Sequence, residues 1–266
     1  MNSLNLRGGT ALVGSTWASW MQYRGFFFIL AFGWMVPPLA ALFVWSAAAA
    51  GGPVGGLERG EFVAYYLILV LVNQLTYAQS NWTLGDVIRE GLLNFWLLKP
   101  IPSVWHILAS EVAGKTVTLV FVIPAAGLLA LVLRPELHTT WPHALLSLGA
   151  VLLAWALRFL WGCWLAQLAF WSSRADSLLA LQDALVFLFS GVVAPVALLP
   201  GALQTLARLL PFHYMVGFPV EILVRRPAAS ELMAGFTLQL GWLALALALS
   251  LILWRLGMRR YSAVGG

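Results

Sequence analysis

Long apolar segments with few charges are the feature that most restricts how this sequence can fold. Six of them, at 26–50, 62–82, 107–133, 143–171, 178–199 and 232–256, are long enough to cross a bilayer as helices. Because lipid offers the backbone no hydrogen-bond partner, a spanning segment must be a helix or a strand of a closed barrel. Barrel strands alternate in character over ~10 residues, whereas these runs are continuous. The sequence predicts an all-α integral membrane protein with six transmembrane helices, built as a single domain over 1–266.

Charged side chains are scarce along the whole chain. Only 9% of the residues are Asp, Glu, Lys or Arg and 61% are hydrophobic, whereas an average soluble domain is about a quarter charged. A surface of this composition suits lipid rather than water. Basic residues that flank membrane helices account for the net charge of +5, so this charge does not indicate a nucleic-acid partner.

An even number of spans places both termini on one side of the membrane. With the N-terminus in the cytoplasm, the inner segments carry more Lys and Arg than the outer segments, as the positive-inside rule requires. The inner set is Arg7, Arg24, Arg89, Lys99, Arg174, Arg255, Arg259 and Arg260, and the outer set is Arg59, Arg134, Arg208, Arg225 and Arg226. We expect a multi-pass protein of a bacterial inner membrane with both termini cytoplasmic.

Two segments outside these spans also show an apolar pattern. Near the N-terminus, Leu12, Trp17 and Trp20 recur at helical spacing opposite small polar residues, which predicts a helix lying in the membrane interface. Residues 200–230 are apolar but interrupted by Pro211, Pro219 and Pro227. They predict short, broken helices at the outer face before the last span, covered by protein because their backbone is irregular.

The sequence GDVIREGLLNFWLLKP, at 85–100, concentrates charge between spans two and three. A helix over 86–96 would be amphipathic, and Pro100 and Pro102 would end the segment. Its apolar side would contain Val87, Ile88, Gly91, Leu92 and Phe95, and its polar side Asp86, Arg89, Glu90 and Asn94, with Leu93 among them. The pattern predicts a cytoplasmic helix in the membrane plane whose polar face meets water or a partner.

No pattern in the sequence indicates catalysis, metal binding or nucleotide binding. The one cysteine, Cys163, lies in an apolar run, and the four histidines have no metal-ligand spacing. The stretch ASEVAGKT at 109–116 matches a loose phosphate-loop pattern, but such a loop needs a preceding strand and this stretch leads into a membrane span. We expect no catalytic or metal site here, and therefore a membrane-embedded enzyme is disfavoured.

Three stretches together resemble the ABC-2 type transporter permeases. GDVIREGLLNFWLLKP resembles the loosely defined stretch between their second and third spans. YRGFFFILAFGWMVPPL at 23–39 and LARLLPFHYMVGFPVEILV at 206–224 are similar to the start and the segment before the last span of the branch with bare six-span permeases. The stretches follow in the family's order and cover nearly the whole chain.

This resemblance implies the permease subunit of an ATP-binding cassette transporter. The family pairs two permeases in the membrane, alike or unlike, and each binds a cytoplasmic ATPase that holds ATP and Mg. It implies that the 86–96 helix is the coupling helix that contacts the ATPase, and that export is more common than import. The implied contact residues are Asp86, Arg89, Glu90, Gly91, Asn94, Lys99 and Pro100, and the implied outer-gate residues are Pro211, His213, Pro219 and Glu221.

Polar residues inside the spans need partners. Glu111 and Lys115 are four residues apart, in the order that favours a helical ion pair. Arg158 costs roughly 2.5–3.5 kcal/mol to insert at a helix centre unless paired, and Asp183 is its first candidate partner, with Glu111 and Asp176 as alternatives. Asn73 and Gln74 are weaker intramembrane candidates. Arg158 either holds the bundle together or faces a cavity and contacts the substrate.

Two other functions remain as alternatives. A secondary transporter would favour internal repeats and helices broken at the midplane, and the first five spans show no repeat. A membrane scaffold that transports nothing is the second alternative. Only the ABC-transporter hypothesis requires a stoichiometric ATPase. The apolar composition favours a hydrophobic or amphipathic substrate.

Overall fold

The computed structural model describes residues 3–261, without the side chains of residues 3–6, Arg24 and Ser80. Of the structure, 83% is helical and the described residues contain no strand, which confirms the predicted all-α class. The helices are α1 (Ser3–Gln22), α2 (Arg24–Ala48), α3 (Arg59–Thr76), α4 (Ser80–Arg89), α5 (Leu93–Leu97), α6 (Ser103–Leu133), α7 (Trp141–Gln167), α8 (Ala175–Phe189), α9 (Gly201–Leu209), α10 (Pro211–Arg225) and α11 (Ala229–Arg260).

Five helical segments of the described chain are long and apolar enough to cross a membrane. They are Gly25–Gly51, Arg59–Arg89, Ser103–Leu133, Trp141–Phe170 and Ala229–Arg260. A sixth is possible if α9 and α10, which meet at a 97° bend, count as one broken span. These helices make the chain a multi-pass integral membrane protein.

The fifth span, predicted at 178–199, is shorter than the sequence suggested. Helix α8 has 15 residues, about 22 Å at 1.5 Å per residue, and ends at Phe189. The chain then turns at Gly191, whose φ of 97° suits glycine, and the Gly191 carbonyl accepts a hydrogen bond from the Tyr65 hydroxyl at 3.2 Å. The apolar pattern predicts a helix that continues to residue 199. A tertiary hydrogen bond and a left-handed glycine end this helix at Phe189 instead.

The predicted amphipathic helix over 86–96 is also different in the structure. Helix α4 begins at Ser80, after a break at 77–79, and ends at Arg89, and α5 begins only at Leu93. Gly91 between them has φ 74°, which a continuing right-handed helix does not allow. The prediction of one helix over 86–96 was therefore wrong, because glycine at this position turns the chain.

The core of the bundle is formed by α3, α7 and α10, with α11 packed along α7. Helix α10 is buried along almost its whole length, from Pro211 to Val220. By contrast, most apolar side chains on the outer sides of α2, α6 and α11 are exposed, as a lipid-facing surface requires. The segment at 200–230 is thus two short helices, as predicted, with the second inserted into the bundle.

Helix α1 runs alongside the first half of α6. Gly9 lies against the Trp105 ring and Gly114 against the Trp20 ring, so the two helices point the same way. At the other end of the chain, the Tyr261 hydroxyl donates a hydrogen bond to the Gly91 carbonyl at 2.8 Å. Both ends of the described chain therefore contact the end of the bundle where α4, α5 and α6 meet. Whether α1 lies in the membrane interface stays a prediction.

Candidate functional site

The predicted intramembrane polar residues meet inside the bundle, between α3, α6, α7 and α8. Arg158 of α7 is 2% exposed. Its Nη1 donates a hydrogen bond to Asn73 Oδ1 of α3 at 2.8 Å, and its Nη2 lies 3.7 Å from Asp183 Oδ1 of α8. Its guanidinium carbon is 5.0 Å from the centre of the Tyr77 ring. One cation thus connects α3, α7 and α8, which offsets the cost of burying it.

A second cation closes the break between α3 and α4. Lys115 of α6 donates a hydrogen bond to the carbonyl of Tyr77, which follows the last residue of α3. Its Nζ also bonds Glu111 Oε2 at 2.8 Å, and the Trp155 indole N–H lies 3.5 Å from the same oxygen. The Glu111 side chain is only 1% exposed, so its charge is paired inside the protein. The favourable order of Glu and Lys produces the close pair expected on a helix.

Other intramembrane candidates lie close to this pair. Gln74 is 6% exposed and lines a small cavity between α3 and α6 together with Glu111 and Lys115. Asp176, an alternative partner of Arg158 in the sequence, is instead paired with Arg89 at the start of α8. We name the group formed by Asn73, Tyr77, Glu111, Lys115, Arg158 and Asp183 the inner polar cluster.

The α4–α5 segment presents both charge and apolar surface at one end of the bundle. Val87 and Ile88 are buried as predicted, but Leu92 and Phe95 are exposed and Leu93, predicted on the polar side, is fully buried. The turn at Gly91 exchanges the buried and exposed sides of the segment that follows, because the helical periodicity restarts after this turn. Leu98, beyond α5, is 83% exposed.

The charges of this segment are only partly free. Arg89 pairs with Asp86 of its own helix at 2.5 Å and with Asp176 of α8. Its guanidinium therefore holds α4 to the first turn of α8. Glu90, Lys99 and Pro100 are exposed, and Asn94 is half-buried. Of the predicted ATPase-contact residues, Glu90, Lys99 and Pro100 are thus the most accessible.

All four predicted outer-gate residues lie on α10. Pro211 is its first residue and Pro219 lies inside it, where proline breaks the helical hydrogen-bond ladder. His213 Nε2 is 3.7 Å from Glu221 Oε2, and the side chains of both are largely buried. The carbonyl of Pro219 accepts a hydrogen bond from Ser147 of α7 at 2.8 Å. The prolines and the polar pair therefore belong to a buried helix that packs on α7 and α3.

Two residues of these sites, Tyr77 and Tyr261, were not considered in the sequence, and Asp176 was considered there only as a partner of Arg158. Tyr77 carries the ring under Arg158 and the carbonyl bonded by Lys115, Asp176 binds Arg89, and Tyr261 bonds the Gly91 carbonyl. Asp176, in the first turn of a helix, is the only one with a local signal. The other two act through groups that become partners only after folding.

The phosphate-loop pattern at 109–116 lies inside α6, in an uninterrupted helix from Ser103 to Leu133. A phosphate loop needs backbone N–H groups free to surround a phosphate, and a continuous helix uses those groups internally. Among residues 3–261, no three His, Cys, Asp or Glu side chains are grouped as a metal site would require. The arrangement can hold helices together and present a docking surface.

The comparisons with known proteins agree with this architecture. The family model described as "ABC-2 family transporter protein" matches residues 35–265, which is most of the chain and includes α3 to α11. No curated protein and no solved structure matches the chain. The chain therefore belongs to the ABC-2 family of transporter proteins, as a membrane permease component.

Proposed function

We propose that this chain is the permease subunit of an exporter driven by a separate ATPase, which binds the ATP and Mg. Family membership supports a permease, and the helical state of the phosphate-loop-like stretch supports hydrolysis in another chain. The family resemblance favours export, and the apolar composition favours a hydrophobic or amphipathic substrate. Catalysis would then lie wholly in the partner.

One observation carries the position of the ATPase in this proposal. The α4–α5 segment projects exposed apolar side chains next to exposed charges, with Phe95 63% and Leu98 83% exposed beside Glu90 and Lys99. Apolar side chains outside the membrane core are costly unless a partner or the lipid surface covers them. Arg89, Asp176 and Tyr261 fix the segment to the bundle, so movement of the docked ATPase would reach α8 and the inner polar cluster.

The same proposal sets the topology and the assembly. Both described ends of the chain lie at the α4–α5 end of the bundle, and an ATPase is cytoplasmic, so both termini would be cytoplasmic in a bacterial inner membrane. The exposed apolar outer sides of α2, α6 and α11 are available for lipid and for a second permease, of the same or a similar chain. Substrate would pass between the two permeases.

The test is capture of the ATPase from the native membrane. We expect a tagged chain, purified in mild detergent, to retain an ATPase in stoichiometric amount. Leu98→Ala and Glu90→Lys should each weaken the capture, because they remove apolar area or reverse a charge at the surface. Leu131→Ala is the matched control, since Leu131 is 79% exposed at the far end of α6, and it should leave capture unchanged.

Two results would contradict this assignment. If the chain purifies without any ATPase and ATP does not alter its transport of substrate, it is a secondary transporter or a scaffold. If an ATPase is captured equally by the Glu90 and Leu98 variants, docking uses another surface. A second permease recovered with the complex would decide between a pair of unlike chains and a homodimer.

A further inference from the structure

A cavity of about 370 Å³ lies between α10 and the first turns of α11, at the end of the bundle away from α4 and α5. The side chains around it divide into two groups. Its polar part contains Arg208, Arg225, Arg226, His213, Glu221 and Glu231. Its apolar part includes Phe218 and Leu238. Neither the docking proposal nor the inner polar cluster uses this cavity.

The arginines give the cavity an excess of unpaired positive charge. The ion pairs among residues 3–261 involve Arg89, Lys115, Arg158 and His213. Within this part of the chain, no carboxylate therefore lies within 4.0 Å of the guanidinium of Arg208, Arg225 or Arg226. Glu231 accepts a hydrogen bond from the N–H of Ala228 at 3.3 Å and so caps α11. The planar guanidinium groups are therefore free to bind carboxylate or phosphate oxygens.

Two buried polar atoms on the inner side of the cavity also lack partners. His213 is 4% exposed, and its Nδ1 makes no hydrogen bond. The carboxylate of Glu221 is near His213 through Oε2, whereas its Oε1 is buried without a partner. Both atoms are closed off from the cavity space, so the exposed arginines, and not this buried pair, present charge to a ligand.

One glycine of α11, Gly235, shapes the apolar part of the cavity. A Cβ at Gly235 would lie 2.2 Å from the Phe218 ring, so glycine allows this ring to pack against α11. Phe218 is buried, while Leu238, one turn further along α11, is 37% exposed. An apolar surface thus continues from the cationic cavity along the outside of α11.

We propose that this cavity binds an amphiphile with a net negative headgroup, its phosphate or carboxylate on Arg208, Arg225 and Arg226 and its apolar chain along Phe218 and Leu238. The polar and apolar parts of the cavity match the two parts of such a molecule. A soluble anion would use only the arginines, and a neutral lipid only the apolar surface. The binding itself needs no ATPase, so it is independent of the proposed function.

The test is lipid binding to the purified full-length chain, measured by native mass spectrometry. The probes are phosphatidylglycerol and phosphatidylcholine with the same acyl chains, and glycerol phosphate as the headgroup alone. We expect a phosphatidylglycerol preference of about tenfold over phosphatidylcholine, because phosphatidylglycerol carries a net negative charge, whereas the choline cation cancels the phosphate charge and is repelled by the arginines. Glycerol phosphate should bind at least tenfold more weakly than phosphatidylglycerol, since it lacks the apolar chain.

Variants assign the binding to this cavity. The triple change Arg208→Gln, Arg225→Gln and Arg226→Gln should remove the preference, and the three changes to Lys should restore most of it. The side chains of all three are exposed, so folding should persist, as gel filtration will show. Arg134→Gln is the matched control, because Arg134 is exposed at a helix end with the same φ of 50° as Arg226 but does not line the cavity.

Equal binding of the two lipids, or an unchanged preference in the triple Gln variant, would overturn the proposal. Equal binding of glycerol phosphate and phosphatidylglycerol would overturn its apolar half. A further experiment separates a resident lipid from a transported substrate and rests on the proposed function. If ATP moves labelled phosphatidylglycerol from one leaflet to the other in the reconstituted transporter, and the triple Gln variant does not move it, the lipid is a substrate; if the lipid binds and is not moved, it is a resident lipid.

Discussion

The Nζ of Lys115, on α6, donates a hydrogen bond to the backbone carbonyl of Tyr77, at the break between α3 and α4. The same ammonium group bonds the buried carboxylate of Glu111 at 2.8 Å. The break would otherwise leave a carbonyl without its helical partner inside the bundle, which costs free energy. Lys115 therefore stabilises two groups at once, the open backbone and a buried negative charge.

Replacing this ammonium group should destabilise the protein strongly. Lys115→Met removes the ammonium group from beside the buried carboxylate of Glu111, and breaking a buried ion pair in this way costs about 3–5 kcal/mol. We expect a large fall in the midpoint of thermal unfolding in detergent, and the double variant Lys115→Met with Glu111→Gln should recover most of it. Lys99→Met, at an exposed position, is the control. If Lys115→Met and Lys99→Met lower the midpoint of thermal unfolding equally, the buried pair has no special role in stability.

Arg158 should be the most sensitive polar position in the bundle. Arg158→Met leaves Asp183 and Asn73 without their shared partner and should lower the free energy of unfolding by about 3 kcal/mol. Arg158→Lys should be intermediate, because an ammonium group cannot span both partners as the guanidinium does. Asp183→Asn added to Arg158→Met should restore part of the loss. Thermal unfolding in detergent measures all of these variants.

This series also separates the two roles considered for Arg158. Its near-complete burial, and its contacts to Asn73, Asp183 and the Tyr77 ring, favour a role in holding the helices together. In that case, the rate of ATP hydrolysis should depend on substrate concentration in the folded Arg158→Lys variant as it does in the unmodified protein. A changed apparent substrate affinity at unchanged stability would instead indicate contact with the substrate.

Gly91 should be needed for the shape of the α4–α5 segment. Its φ of 74° lies in the left-handed region, where a Cβ costs about 1 kcal/mol or more, so Gly91→Ala should destabilise the turn and weaken ATPase capture. Gly127→Ala, in the second half of α6, is the matched control, because a Cβ there meets nothing within 4 Å, and alanine is favoured in a helix by roughly 0.5–1 kcal/mol. If Gly127→Ala weakens capture as much, the effect is not a property of the turn.

Gly217 should tolerate no side chain at all. A Cβ on this α10 residue would lie 2.1 Å from the carbonyl oxygen of Ser190, a backbone atom at the end of α8 that has little room to move. We expect Gly217→Ala to cost about 1–3 kcal/mol, as overpacking does in a close-packed interior. Gly241→Ala, on the open side of α11, should be neutral or stabilising. Thermal unfolding measures both, and similar stability of the two variants would contradict the close approach of α8 and α10.

Some expectations from the sequence held because they depend on one helix at a time. The apolar lengths of α2, α6, α7 and α11 exceed what a bilayer requires, so their existence followed directly from composition. The pairing of Glu111 with Lys115 needs only the four-residue spacing of a helix. The burial of Val87 and Ile88 follows from the same periodicity.

Other features were decided only when the helices packed. Whether the apolar run after Leu178 ends at Phe189 depends on Tyr65, 126 residues before Gly191, reaching the Gly191 carbonyl. The exposure of Phe95 depends on how the chain resumes after Gly91, whose carbonyl is held by Tyr261. The sequence by itself determined that this chain crosses a membrane as helices, because burying an unpaired backbone in lipid is too costly. Only the tertiary structure decided which polar groups of different helices meet, because each of those contacts depends on how the helices pack.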